Sequence, residues 1–475
     1  MTALRRLLNP GFVQDVLVMS GGTVGAQALL ILSSPLLTRL YTPDEFGAFA
    51  VFSAFLGVLV VVASLRYEFA IPLPEREEDA RGLLLLSLGL VVVISLLILL
   101  LLLAAAPRLA ELTQVPELRR YSPLVALGIL GVGSYQVFNY YSTRKQQFRL
   151  LSATKLWQSV CQVGLQLAGG FMGLGVLGLF GGYVLGRAAG SGALARQVDI
   201  RPLPNTRALR SLAGRYADFP KYYAPAALIN SLGMELPALI FAPIFGLSVA
   251  GFFSLTVRML TLPVFLLGQA TGQVFYPQAA SLANEPEKTR LFVEKVATGL
   301  LFVSFPLFGF VALVGPELFA LVFGEEWAKA GLYARYLSPW FSLSLIVSPI
   351  ITFVLVKEKQ RQALFVNTAE TAARLGVLWL GGRYLSADAS VLLYGLVGVG
   401  VALYSLLWVL RLAGSSLVSW LRPVRLYLPL GALLLAGLAY LGMQLGPLLA
   451  AALQLSALAA FGFWSLRYFL GVYRA

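Results

Sequence analysis

The chain has 475 residues, 58% of them hydrophobic and only 12% charged, with a mean hydropathy of +0.80 and a formal net charge of +14. Soluble chains carry about 25% charged residues, so a water-soluble fold is excluded, and the basic residues are too scattered to form a nucleic-acid stripe. There is no histidine, and the single cysteine, Cys161, lies in an apolar stretch; histidine acid–base chemistry, His/Cys zinc sites and intramolecular disulfides are excluded with them.

In chain order, Arg5 and Arg6 precede Asn9-Pro10-Gly11 and a first apolar span, 12–38. That span is too long and too polar for a cleavable signal and is read as a retained helix. Thirteen more spans follow: 44–66, 82–106, 123–143, 151–172, 174–195, 219–245, 247–275, 292–315, 333–356, 363–385, 388–411, 426–445 and 447–472. Most have roughly the 20 residues that a helix needs to cross a bilayer core. Placing alternate connections on opposite faces puts about 27 of the 36 Lys and Arg residues on the face that carries both chain ends, which the positive-inside rule makes cytoplasmic. The expectation is a multi-pass protein of a bacterial inner membrane with both termini in the cytoplasm, its basic loops in contact with anionic lipids.

The spans divide into six, six and two. The stretch Arg196 to Asp218, with five arginines and Pro202 and Pro204, reads as a cytoplasmic linker, so the expected domains are 1–200, 201–424 and a terminal helix pair, 425–475. The halves repeat weakly. Ser34–Phe52 and Leu236–Leu255 share a helix, short turn and helix, matching Pro35 to Pro237 and Gly47 to Gly251; Lys145-Gln146 matches Lys359-Gln360. Six spans per repeat leave the halves in one orientation, related by a pseudo-two-fold along the membrane normal, with a cavity between two bundles. The predicted fold is all-α, about 14 transmembrane helices in two pseudo-symmetric six-helix lobes plus the pair. Connections on the outer face are too short for a folded domain.

Four strings carry a resemblance to a known family: Leu37-Thr38-Arg39-Leu40-Tyr41-Thr42-Pro43-Asp44-Glu45-Phe46-Gly47, Leu65-Arg66-Tyr67-Glu68-Phe69-Ala70-Ile71, Tyr216-Ala217-Asp218-Phe219-Pro220, and Gly268 through Pro277. In this order and spacing the chain resembles the Wzx-type oligosaccharide and O-antigen flippases of the multidrug/oligosaccharidyl-lipid/polysaccharide exporter superfamily. The resemblance implies alternating access that moves an undecaprenyl-diphosphate-linked glycan from the cytoplasmic to the periplasmic leaflet, with no covalent chemistry and no cofactor. The partners it implies are that lipid-linked glycan, membrane lipids and the downstream polymerase and chain-length machinery. Twelve helices are usual for such flippases; the extra pair resembles the peptidoglycan-precursor flippases of the same superfamily.

Ionisable residues at membrane depth are default candidates for a transport pathway. Counted from the turn at Phe245 to Leu247, Glu235 and Arg258 lie at one depth, near mid-membrane, and belong to one half only; they are either a structural ion pair or a diphosphate-binding arginine with a carboxylate that takes a proton or cation. Glu370 and Arg374, four apart with Asn367 and Thr371 beside them, form either a helical ion pair or a cavity residue with its partner. Gln158, Gln162 and Gln166 recur every four residues beyond Lys155, a polar stripe that suits either a hydrated wall for sugars or helix packing. Gln14, Asp15, Gln27, Gln136, Asn139 and Tyr140 would line the same space. Arg66, Glu68, Arg144, Lys145, Arg149 and Lys221 would ring the inner mouth, where guanidinium groups match phosphate oxygens. Coupling to a proton or sodium gradient would fall to Glu235, Asp15 or Glu370. Pro225, Pro237 and Pro243, with Pro35 at the related place, are either hinges or static kinks.

Three readings compete. A peptidoglycan-precursor (lipid II) flippase of the same superfamily would share the extra helix pair. A cation-coupled drug antiporter of the same superfamily would want an acidic cavity, against the basic bias here; a membrane-embedded glycan polymerase would want a large outer loop and paired carboxylates.

Overall fold

The first hairpin is set by capping chemistry. Tyr41 ends one helix in an extended conformation, Thr42 accepts the Glu45 N–H at 3.3 Å, Glu45 accepts the Thr42 N–H at 2.8 Å, and Pro43 opens the next helix where no N–H is needed. The string Thr42-Pro43-Asp44-Glu45 is thus a capping box. A computed structural model describes residues 10–113, 117–198, 205–425 and 427–444, with the isolated positions 456, 457, 460–462, 464 and 467. It divides into two compact units, Met1–Gly251 and Phe252–Ala475; the sequence boundary expected near residue 200 lies inside the first.

In the first unit the helices are α1 (Pro10–Leu32), α2 (Ser34–Leu40), α3 (Pro43–Val60), α4 (Glu77–Thr113), α5 (Glu117–Arg144), α6 (Phe148–Phe171), α7 (Val176–Ala188), the short α8 (Ser191–Ala195), α9 (Thr206–Arg215) and α10 (Ala224–Phe245). Helix α1 packs on α6, α4 on α5, α7 on both α5 and α6, and α10 on α3. The glycines of α6 and α7 make that approach close: a Cβ on Gly169 would strike Gly178, and one on Gly186 would strike the Gln162 backbone. Tyr41 docks against Gly169, Gly170 and Gly178 and donates to the Gln166 carbonyl at 2.6 Å. The glycine cluster and the first family-like string are therefore one contact. Helix α4 presents Leu96, Leu97, Leu100 and Leu101 outward, an apolar face that lipid accepts and water does not.

Helix α11 (Leu247–Ser281) begins in the first unit and continues into the second. Its first turn meets the first turn of α3 reciprocally. A Cβ on Gly47 would run into the Leu247 carbonyl, one on Gly251 into the Pro43 carbonyl, and Ser248 donates to Asp44 at 2.5 Å. Pro43, Asp44 and Gly47 recur as Leu247, Ser248 and Gly251 at a constant spacing of 204 residues, so repeat-equivalent residues meet each other, as across a two-fold axis. All six lie in the first unit.

The second unit holds the rest of α11, α12 (Pro286–Phe323), α13 (Ala328–Ile350), α14 (Phe353–Val356), α15 (Gln360–Tyr384), α16 (Ala387–Leu412), α17 (Leu417–Leu421) and α18 (Tyr427–Gln444). Helices α12 and α13 pack most closely, backbone to backbone at Gly315 and Gly331. Pro316 cannot donate to the Ala312 carbonyl, and the helix kinks at Val314. Arg335 of α13 supplies the missing donors, Nε to Ala312 O at 3.0 Å and Nη2 to Leu313 O at 2.8 Å. A core of Phe275, Phe353, Trp420 and Tyr427 fills the other end.

The repeat is also visible in two turns. After α5, Lys145 N–H bonds Tyr141 O and Gln147 N–H bonds Ser142 O around Gln146 at φ 56°; after α14, Lys357 bonds Phe353 and Lys359 bonds Val354 around Glu358 at φ 55°. Lys145 therefore corresponds to Lys357, two residues before the Lys359 that the sequence suggested.

The chain is an all-α multi-span membrane protein, and among the described residues nine helices are long and apolar enough to cross a membrane. They coincide with nine of the fourteen expected spans. Spans 151–172 and 363–385 are helical, as α6 and α15, but their lysine, glutamine and Glu–Arg content lowers their hydropathy; 174–195 breaks after the 13-residue α7; and in 426–445 the apolar helix Tyr427–Leu438 is short. Span 447–472 lies almost wholly outside the described residues.

Candidate functional site

A polar cavity of about 260 Å³ lies in the first unit, lined by Arg66, Tyr135, Gln136, Asn139, Tyr140, Gln158 and Arg187 with Val132. Helix α5 supplies two i, i+4 pairs from one face, Tyr135 with Asn139 and Gln136 with Tyr140. Tyr135 is fixed from behind by Thr154 of α6 at 3.0 Å. Gln158 reaches across to donate to the Arg187 carbonyl at 2.5 Å, in the last turn of α7. The C-terminal end of the helix dipole suits a nearby cation, and the Arg187 guanidinium bonds the Tyr183 hydroxyl at 3.2 Å.

Arg66 enters from the second family-like string. Leu65 and Arg66 are left-handed at φ 50° and 66°, a conformation costing of order 1 kcal/mol or more for a residue with a Cβ. The reversal buries Glu68, whose carboxylate takes the Ser64 hydroxyl and pairs with Arg66 at 3.5 Å. Burial lifts the Glu68 carboxyl above its ordinary 4.5, and the Ser64 hydrogen bond and Arg66 offset part of that rise. The Arg66 guanidinium also stands 5.3 Å over Phe69, whose ring meets Tyr140 at 4.5 Å and Tyr223 at 4.9 Å. Its Nε is buried with no acceptor. The cavity is thus lined by two guanidiniums, three amides and two phenols, with the Glu68 carboxylate paired to Arg66.

Of the residues singled out from sequence, Arg66, Gln136, Asn139, Tyr140 and Gln158 converge here. Gln162 and Gln166 do not: both are buried where α6 packs on α7, and Gln166 Nε2 donates to the Leu179 carbonyl at 3.1 Å. Arg144 is engaged with the segment before α4, bonding the carbonyls of Pro72, Pro74 and Glu75 and the Glu77 carboxylate, which also takes Tyr141 at 2.6 Å and Lys145 at 2.8 Å. Lys221 is exposed in a π-helical turn, Phe219–Tyr223, and Gln27 is exposed on α1. Lys155 donates to Thr23 at 3.0 Å. The side chains of Gln14 and Asp15 lie outside the described residues. Glu235, in the first unit, packs on Gly57 of α3. Arg258, in the second unit, is half-buried on α11.

Glu370 and Arg374 form an ion pair on α15. Arg374 is held 4.0 Å over Trp340 and 5.2 Å from the Tyr394 ring centre, with Nε buried and without an acceptor. Beside them is a second cavity, about 240 Å³, into which Glu370 and Asn367 project with Ser344, Ser348, Ser405 and Trp408.

Sequence reasoning missed Arg187. It lies inside the expected span 174–195, and its spacing of four from Tyr183 on one helix face is the signal that could have found it.

The model of the polysaccharide biosynthesis protein family matches residues 36–331. The chain is 24% identical over 181 residues to the lipopolysaccharide biosynthesis protein WzxC of Escherichia coli K12, covering 38% of this chain and 37% of that protein. It is 24% identical over 355 residues to the succinoglycan biosynthesis transport protein ExoT of Rhizobium meliloti 1021, covering 70% of this chain and 65% of that one. The fold is similar to that of the lipid II flippase MurJ in an inward closed conformation, with a TM-score of 0.77, 10% identity and coverage of 96% and 99%. An inward-facing multidrug resistance MATE family transporter of the MOP superfamily matches with a TM-score of 0.61, 16% identity and coverage of 82% and 95%. With more than half of its length matched by the family model, the chain belongs to the polysaccharide biosynthesis protein family.

Proposed function

We propose that the chain is a flippase that carries an undecaprenyl-diphosphate-linked oligosaccharide across a bacterial inner membrane by alternating access, for O-antigen, capsule or exopolysaccharide synthesis. In this reading fourteen helices form two six-helix lobes, 1–200 and 201–424, with an additional pair, 425–475. The single observation that carries it is the first-unit cavity. Arg66 and Arg187 offer forked donors to phosphate oxygens, and Gln136, Asn139 and Gln158 offer both donors and acceptors to hydroxyls. A charged, polar chamber among membrane helices is costly without a charged cargo to receive. The names of the two relatives, one in lipopolysaccharide and one in succinoglycan biosynthesis, support a glycan over a drug.

The test is transport in proteoliposomes loaded with a lipid-linked oligosaccharide, its arrival at the opposite leaflet read by lectin accessibility. A charge-assisted hydrogen bond contributes about 1.5–3 kcal/mol, so Arg66→Gln and Arg187→Gln should each slow transport about tenfold or more at limiting substrate. Unaltered transport in both variants would overturn the assignment. Lengthening of glycan chains by the purified protein would point to a polymerase instead, and uptake of a fluorescent cation to an antiporter.

A further inference from the structure

The 240 Å³ cavity of the second unit differs from the first in charge. Its one ionised lining group, Glu370, is already paired with Arg374, and Arg374 is pinned over the faces of Trp340 and Tyr394. The local charge is therefore balanced. A diphosphate finds no free cation in it, and a sodium ion or an organic cation finds no uncompensated carboxylate.

What converges on it is neutral and polar. Among the described residues, the side chains of Ser344, Ser348, Asn367 and Ser405 line it and make no hydrogen bond to another protein group. Four neutral groups that can each donate or accept thus face one cavity, with those capacities available to a ligand. Trp408 adds an aromatic surface at the same wall, its ring neighboured by Tyr404 at 6.5 Å. Serine hydroxyls and the amide can donate or accept, and the paired carboxylate retains lone pairs that accept. Hydroxyls around an apolar ring are the ligand chemistry with that profile. The size also limits it: drug-sized ligands take roughly 300–1,000 Å³, and this space is smaller.

We propose that this cavity binds one uncharged sugar ring, making a site separate from the cationic cavity of the first unit. The assignment rests on the flippase reading for the source of its ligand, a residue of the transported glycan. Its chemistry does not require that reading, since free sugars should bind.

The experiment uses the purified full-length chain in nanodiscs, titrated with the methyl glycosides of glucose, galactose, mannose and N-acetylglucosamine while tryptophan fluorescence is followed. At least one glycoside should give a saturable change that Trp408→Phe diminishes. Asn367→Leu and Ser405→Val should each weaken binding about tenfold, the effect of losing one well-made hydrogen bond. Pyrophosphate should neither compete nor bind differently to these variants, which also reports that they are folded. Failure of all four glycosides to saturate, or equal binding by both variants, overturns the proposal; so does a saturable response to sodium or tetraphenylphosphonium that Asn367→Leu removes. Sugar binding with no transport of lipid-linked glycan would retain this site and reject the flippase reading.

Discussion

The reciprocal contact between the first turns of α3 and α11 makes a prediction that a one-sided contact would not. A methyl group at Gly47 would lie far inside the radius of the Leu247 carbonyl oxygen, and one at Gly251 inside that of the Pro43 carbonyl oxygen and 3.0 Å from the Gly47 nitrogen. Both obstacles are backbone, so no rotamer change relieves them, and the helices must separate. Overpacking of this kind costs about 1–3 kcal/mol, and each of Gly47→Ala and Gly251→Ala should destabilise the chain by that amount. The two penalties share one cause. Once the first methyl has moved the helices apart, the second enters space already opened, so the double variant should cost less than the sum, with a coupling of about 1 kcal/mol or more. Reversible unfolding of the four proteins in one mixed-micelle system measures the cycle. A second readout is local: Asp44→Cys with Ser248→Cys should crosslink readily in the parent, where those side chains touch at 2.5 Å, and poorly once Gly47→Ala is added. Additivity within about 0.5 kcal/mol, or a neutral Gly47→Ala, would refute the close reciprocal crossing.

Two further outcomes test the supports behind the cavities. Burial holds the Glu68 carboxyl above its ordinary 4.5, so the folded chain keeps a proton that the unfolded chain has released; stability is fully present below the unfolded value and falls as pH rises through the folded one. Thermal unfolding followed from pH 4 to 8 should show that decline in the parent, and Glu68→Gln should remove it. Arg335→Leu should cost about 1–3 kcal/mol by removing its bonds to the Ala312 and Leu313 carbonyls, the first of which Pro316 cannot serve; adding Pro316→Ala, which restores an N–H for Ala312, should recover part of that loss in the same unfolding assay.

The nine spans that the structure describes as long and apolar were legible because burial in lipid imposes a length and a composition on the chain, and both are one-dimensional quantities. The Thr42 to Glu45 turn and the match of Gly47 to Gly251 were legible for a similar reason, being local signals repeated. Residues on one helix face were readable too: Gln136 and Tyr140, or Asn139 and its neighbours, needed only a period of four. Depth and period do not give the direction in which a helix turns its stripe. Gln158, Gln162 and Gln166 share one stripe, yet Gln158 faces the cavity while the other two face the glycines of α7, because Gly182 and Gly186 let α7 approach only beside them. Likewise nothing in the sequence ranks Arg187 above Arg144, and only their partners separate them. Arg144 closes a segment through four backbone and carboxylate contacts, whereas Arg187 ends a helix beside an open polar space.

That separation bears on how a membrane protein keeps a cation available for cargo. A guanidinium buried in a low-dielectric interior must be compensated, and full compensation, as with Arg144 at Glu77 and three carbonyls, leaves nothing to offer. Arg66 is compensated only in part: its carboxylate partner stands at 3.5 Å, is itself shared with Ser64, and leaves Nε without an acceptor. A left-handed turn at two residues with side chains is an expensive way to reverse a helix, and a glycine at either position would do it without strain. A glycine at 66 would place no charge at the cavity wall. The strained turn and the incompletely satisfied arginine are therefore one feature; under the proposed function, that strain would hold a cation at the chamber wall with Nε left for the cargo's phosphate oxygens.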